Sequence, residues 1–166
     1  MKYNGLLATF PKEIKVFVAT FVIVLSIGFY TGLLFVSQTG TNHVAGIEEN
    51  YLGNEESEAA EIMKFKKSPR EMLTIIHTHV LSMSFIFFLL GGLVWLADMP
   101  KKLKLFLTIE PFFSIIFTFG GIYFLWLGVT SMKYVVMVSG ILMTASFVIS
   151  TFLVLFQLMK KPVLYE

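Results

Sequence analysis

Four stretches of the chain lack the alternation of apolar and polar positions that marks a half-buried strand or a helix on a soluble core. They are apolar almost without interruption, at about 16–37, 73–97, 105–128 and 134–159. Each is long enough to cross a hydrocarbon layer of about 30 Å at about 1.5 Å of helical rise per residue. Backbone N–H and C=O groups find no water in that layer, so each stretch is predicted to be an α-helix. Two short joints separate the last three spans, Asp98 to Lys104 and Val129 to Lys133, and the second forces spans three and four into an antiparallel hairpin. The pattern predicts an all-α integral membrane protein: a single membrane domain over 1–166, folded as an antiparallel four-transmembrane-helix bundle.

Local signals mark where the helices begin and end. Ser68-Pro69-Arg70-Glu71 fits a capping box, with Pro69 at the first helical position. Helix two is therefore expected to start before the membrane. The first span follows Lys2, Lys12 and Lys15, but no small-residue cleavage pattern comes after it, so it reads as an uncleaved anchor. The loop over 38–68 is the one substantial segment outside the spans. Its first half, from Thr39 to Gly46, has the composition of an irregular turn. In its second half Asn54 can cap a short amphipathic helix from Glu55 to about Lys67, with acids in the first turn and lysines in the last.

Composition agrees with the pattern: 56% of the 166 residues are hydrophobic and only 14% are charged, against roughly a quarter charged in a soluble domain. A net charge of +2 gives no footing for nucleic acid. The absence of cysteine excludes disulfides, thiolate metal sites, iron–sulfur clusters and covalently attached haem. The basic residues set an orientation. With the N-terminus inside, Lys2, Lys12, Lys15, Lys101, Lys102, Lys104, Lys160 and Lys161 are cytoplasmic; Lys64, Lys66, Lys67, Arg70 and Lys133 are outside. That bias predicts both termini in the cytoplasm.

Few residues could carry chemistry. His43 stands in the outer loop, and His77 and His79 stand early in helix two, so all three fall on one side of the membrane. Imidazole is a common metal ligand and a usual axial ligand of haem, which makes His43, His77 and His79 candidate metal ligands. Residues two apart on a helix point about 200° apart, however, so His77 and His79 cannot share one ion on a regular helix. His79 and Met83, four apart, do share a face and could contribute to a haem or soft-metal site. The plainer reading makes the histidines interface residues, bonded to the loop, water or headgroups. Glu110 is the one acid within a predicted span. Intramembrane carboxylates mark ion or proton pathways by default, but Thr108 as N-cap would put Glu110 in the first helical turn, close to water. Gly28 and Gly32 form a G-x-x-x-G pair in helix one, a signal for close helix approach in lipid. No zinc-protease, nucleophile-elbow, Walker or dinucleotide-binding motif is present, so no catalytic residue is assigned.

The stretch His77-Thr78-His79-Val80-Leu81-Ser82-Met83, preceded by an acidic loop with Gly46-Ile47-Glu48-Glu49-Asn50-Tyr51, resembles a group of uncharacterised small bacterial inner-membrane proteins. Those proteins have four predicted spans and an H-x-H-x-L-x-M signature opening the second. The resemblance covers most of the chain and implies company with respiratory and electron-transfer proteins. It leads to the expectation of an accessory or assembly subunit of a membrane electron-transfer complex, partnered by lipids and by other membrane subunits or itself. Two other readings stay open: a haem b or copper protein using His77 or His79, and a small transporter or channel with Glu110 on its path.

Overall fold

Six helices follow one another along the chain: α1 (Leu6–Thr9), α2 (Lys12–Gln38), α3 (Val44–Leu52), α4 (Pro69–Leu96), α5 (Lys101–Trp126) and α6 (Met132–Leu158). The computed structural model describes residues 3–55 and 62–160. Four of the helices, α2, α4, α5 and α6, are long and apolar enough to cross a membrane. They run alternately up and down, so the two described chain ends, α1 and Lys160, lie at one end of the bundle. The α3 helix lies at the other end.

Each helix starts and stops for a local reason. The capping box at α4 forms: Ser68 N–H donates to Glu71 Oε2 at 2.7 Å and Glu71 N–H to Ser68 Oγ at 3.3 Å. Pro11 and Pro100 stand immediately before α2 and α5, where a missing N–H costs nothing. Gly128, at φ 102°, takes the left-handed turn between α5 and α6 that a side chain would strain.

The tightest pairing is between α5 and α6, with α4 against α5 next. Buried positions on α5 fall at Lys104, Leu107, Pro111, Ser114, Thr118, Gly121 and Leu125. On α6 they include Val136, Ser139, Met143, Ser146, Ser150 and Gln157. Alternating steps of three and four are the spacing of a left-handed, nearly parallel seam. Small residues on that seam let the backbones close: a Cβ on Gly121 would stand 2.9 Å from Val136 Cγ2. In lipid the drive for such closure is packing and interhelical hydrogen bonding, since apolar burial gains nothing there. The phenylalanines divide between lipid-facing positions such as Phe85, Phe113 and Phe152 and core positions such as Phe87, Phe119 and Phe147.

The loop carries a helix, α3, ahead of the segment where the charge pattern put one. The expected helix ran from Glu55 to about Lys67; residues 56–61 lie outside the described residues, and Met63 to Ser68 are not helical. Asn54 caps nothing. Its side chain donates to Ile62 O and accepts from Lys64 N–H, while its own N–H bonds Lys64 O. The helix of this loop is α3, which carries Val44, Ile47 and Tyr51 on one face and ends at Gly53, φ 87°. Gly46 seats it: a Cβ there would lie 1.8 Å from the Gly40 carbonyl oxygen, so only glycine fits.

Candidate functional site

The α5–α6 seam holds an unusual number of polar side chains for a membrane interior. Ser114, Thr118, Ser139, Ser146, Ser150 and Thr151 are all buried along it or beside it. Thr118 and Ser139 hydroxyls meet at 2.7 Å across the two helices, a bond worth about 0.6 kcal/mol in lipid, up to about 1.7. Glu110 lies on the same seam. The Ser114 hydroxyl, one turn on in α5, donates to Glu110 Oε1, and the Ser146 hydroxyl of α6 donates to Glu110 Oε2. Each carboxylate oxygen thus has its own hydroxyl donor, one from each helix.

This corrects the first-turn expectation for Glu110. Thr108 is not an N-cap: α5 already begins at Lys101, and Thr108 Oγ donates to Lys104 O inside the helix. Glu110 therefore sits nine residues into α5, about 13 Å along its axis, half-buried and bridging two helices. Pro111 follows it within the helix. A proline has no N–H, so the carbonyl of Leu107 loses its usual helical donor and remains an acceptor one turn from Glu110.

At the end carrying the chain termini, polar groups lock the joint between α4 and α5. The buried Gln157 amide accepts from Asp98 N–H at 2.5 Å and donates to Asp98 O at 2.8 Å. Asn4 donates to Asp98 Oδ1 at 2.6 Å and accepts from Met99 N–H at 3.3 Å. Lys104, expected in an exposed basic joint, is instead fully buried. Its ammonium donates to Trp95 O at 2.7 Å and stands 5.9 Å from the Trp95 ring.

At the opposite end α3 lies over the α5–α6 hairpin. Lys133 Nζ donates to Glu48 Oε2 at 2.5 Å, and Lys64 Nζ stands 3.6 Å from Glu49. Tyr51 packs beneath, and burial raises the pKa of its phenol above the ordinary 10.0, against a smaller lowering by the Asn50 side chain. Trp126 Nε1 donates to Lys67 O at 2.7 Å, with Lys66 Nζ 5.4 Å from the indole.

The histidines belong to this end but do not converge. His43 is exposed beside Asn42, with Nδ1 3.2 Å from its Oδ1. His77 is exposed on α4. The His79 ring leans on Phe119 of α5 at 5.0 Å, its Nδ1 2.8 Å from the Ile75 carbonyl. Met83, which shares a stripe with His79, lines a groove on the α2 side instead. Among the described residues no group of three histidine, aspartate or glutamate side chains could hold a metal. His43, His77 and His79 thus do not make a common metal site.

The groove lies between α2 and α4, has a volume of 320 Å³ and is lined by Phe21, Leu25, Gly28, Gly32, Met83 and Ile86 among others. Neither Gly28 nor Gly32 has a neighbour within 4 Å of where its Cβ would stand. The G-x-x-x-G pair expected to draw helices together therefore faces open space.

Residues 41–163 match the family model Aq_1264_TM, described as a transmembrane helical domain. The chain belongs to the Aq_1264_TM family. No curated protein and no solved structure matches it. The Aq_1264_TM match takes in α3 to α6 and with them the polar seam, Glu110, Gln157 and all three histidines, while α2 precedes the matched residues. That boundary coincides with the packing. Of the most apolar window of α2, 11% is buried, against 44% for α5 and for α6. The chain is a multi-pass membrane protein whose α4–α6 core is tightly built and whose first span is loosely attached.

The seam, the Gln157 clamp and the buried Lys104 were not found by reading the sequence. Their signal was there: hydroxyl and small residues recur at three- and four-residue steps through both α5 and α6. Such a stripe in a membrane helix marks a helix interface. Pairing it with Glu110 required knowing which way each helix turns.

Proposed function

We propose that the protein is an accessory or assembly subunit of a membrane electron-transfer complex, holding a partner's transmembrane helix in the groove between α2 and α4. The observation that carries this reading is the open Gly28–Gly32 face beside a helix that the rest of the chain barely packs. A G-x-x-x-G face lets a second helix approach to backbone contact, and here the room for one is open at the bilayer side of the bundle. The electron-transfer assignment rests on the likeness of the His77–Met83 stretch to proteins of that company. In this reading the protein sits in a bacterial inner membrane with both termini in the cytoplasm. With buried Lys104 set aside, seven basic residues favour the termini end and five the other. His43, His77 and His79 then face the outer surface, beside α3, as a histidine-lined contact for the partner.

The test places a photo-crosslinking residue at Val24 in the groove and, as a control, at Ile116, a lipid-facing position of α5. The Val24 probe is expected to capture one defined membrane subunit, and the Ile116 probe none. Gly28→Leu with Gly32→Leu is expected to abolish capture while thermal stability holds. Equal capture at both positions, or capture that survives the double substitution, would sink the reading. A reduced-minus-oxidised spectrum of the same preparation tests the competing haem or copper assignment.

A further inference from the structure

Glu110 has a second property that the subunit reading does not use and does not depend on. A carboxylate at membrane depth needs a positive partner. Among the described residues neither ion pair involves Glu110; those pairs are Lys64–Glu49 and Lys133–Glu48, both at the α3 end. The nearest cation along α5 is Lys104, six residues away, and its ammonium is directed to the Trp95 carbonyl. The other titratable groups of the packed elements lie elsewhere. Arg70, Glu71, His77 and His79 are in the first turns of α4, Lys133 and Tyr134 begin α6, Tyr123 is near the far end of α5, and Glu48, Glu49 and Tyr51 are on α3. Asp98 and Lys101 and Lys102 are at the joint before α5.

Two hydroxyls contact the carboxylate, Ser114 on Oε1 and Ser146 on Oε2. Each hydroxyl is committed to one carboxylate oxygen, an arrangement that can take up a proton. Serine hydroxyls can reverse between donor and acceptor by rotating one bond.

We infer that Glu110, bracketed by Ser114 and Ser146, is a proton-exchange site inside the α5–α6 seam. On uptake a proton from water bonds one carboxylate oxygen, and the serine facing that oxygen turns from donor to acceptor. On release the proton returns to water and the hydroxyl turns back. No other bond changes. Because Glu110 and Ser114 are both on α5 and Ser146 is on α6, exchange at Oε2 also alters the hydrogen bond that joins the two helices.

The experiment uses the full chain reconstituted alone in phosphatidylcholine vesicles, so its outcome is independent of any partner. Dicyclohexylcarbodiimide, an apolar reagent, reacts with protonated carboxyl groups within the bilayer; labelling is read by mass spectrometry of peptides. Glu110 is expected to take the label, faster as pH falls, with sodium chloride or choline chloride giving the same rate. Glu110→Gln loses it. Ser114→Ala and Ser146→Ala each change the rate several-fold at fixed pH, since each removes a hydroxyl in contact with the carboxylate. The two serine variants carry the test if Glu110→Gln does not fold. An unlabelled Glu110, a rate that ignores pH, or serine variants that match wild type overturns the inference. Slowing by sodium at constant pH overturns it too, by making the occupant a metal ion.

Discussion

Replacing Gly121 by alanine forces α5 and α6 apart at one defined point. The added Cβ would lie 2.9 Å from Val136 Cγ2, whereas relaxed carbon contacts fall at about 3.5–4.0 Å. Between roughly 0.6 and 1.1 Å of separation must be found. Val136 cannot supply it cheaply: a β-branched side chain in a helix keeps essentially one χ1 rotamer. Behind it the Val136 nitrogen and the Met132 oxygen stand 3.9 Å from the same Cβ position, so the backbone is already in contact. Overpacking of this kind costs about 1–3 kcal/mol. Val136→Ala alone opens a void and costs about 1–2 kcal/mol. In the double variant the new methyl at 121 enters the void left at 136. The two changes should then fall short of additive by about 1 kcal/mol or more. The assay is unfolding in mixed micelles by increasing detergent denaturant, followed by the fluorescence of Trp95 and Trp126. Costs that add to within about 0.5 kcal/mol would refute the claim that Gly121 is present to admit Val136.

Two further predictions concern the ends of the bundle. Gln157→Leu leaves the Asp98 N–H and C=O without the amide that binds both; it should cost about 1–3 kcal/mol for each group left unpaired. Hydrogen exchange should quicken at the α4–α5 joint and stay unchanged at α3; equal exchange at the joint would show that the clamp is unimportant. At the α3 end, burial raises the Tyr51 pKa, so the folded state holds this proton more tightly than the unfolded one. Its contribution is fully present below pH 10 and is lost as pH rises through the raised value. Limited proteolysis of the loop after α3 should accelerate over that window, with Tyr51→Phe removing the tyrosine's part of the rise. Identical alkaline profiles for the two proteins would count against a buried phenol.

Much of the architecture was legible in the sequence because its causes are local. Four apolar runs become helices in lipid whatever their neighbours, since each backbone can satisfy only itself. The Ser68–Glu71 box caps α4 by contacts three residues apart, and a joint as short as 129–133 leaves α5 and α6 no arrangement but an antiparallel hairpin. The second half of the loop helix read from the charges is not helical, for a related reason. Acids followed by lysines after Asn54 mimic a helix dipole pattern, while the helix that forms, Val44–Leu52, has a three-residue apolar face and a terminal glycine as its only signals. At Lys67 the contacts are tertiary: its N–H bonds Tyr51 O and Trp126 reaches its carbonyl, which tie the segment before α4 to α3 and α5.

The candidate site depended on rotation, which sequence spacing does not fix. His79 and Met83 share a stripe, yet one leans on Phe119 and the other on the α2 groove. Glu110 and Lys104 both read as residues near the water. Extending α5 back to Lys101 and turning it against α6 put the first between two serines and buried the second under Trp95. The sequence by itself determined that this chain spans the membrane four times and roughly where. Only the tertiary structure decided which polar residues meet. A helix in lipid satisfies its backbone alone, but the faces it presents are chosen by packing against its neighbours.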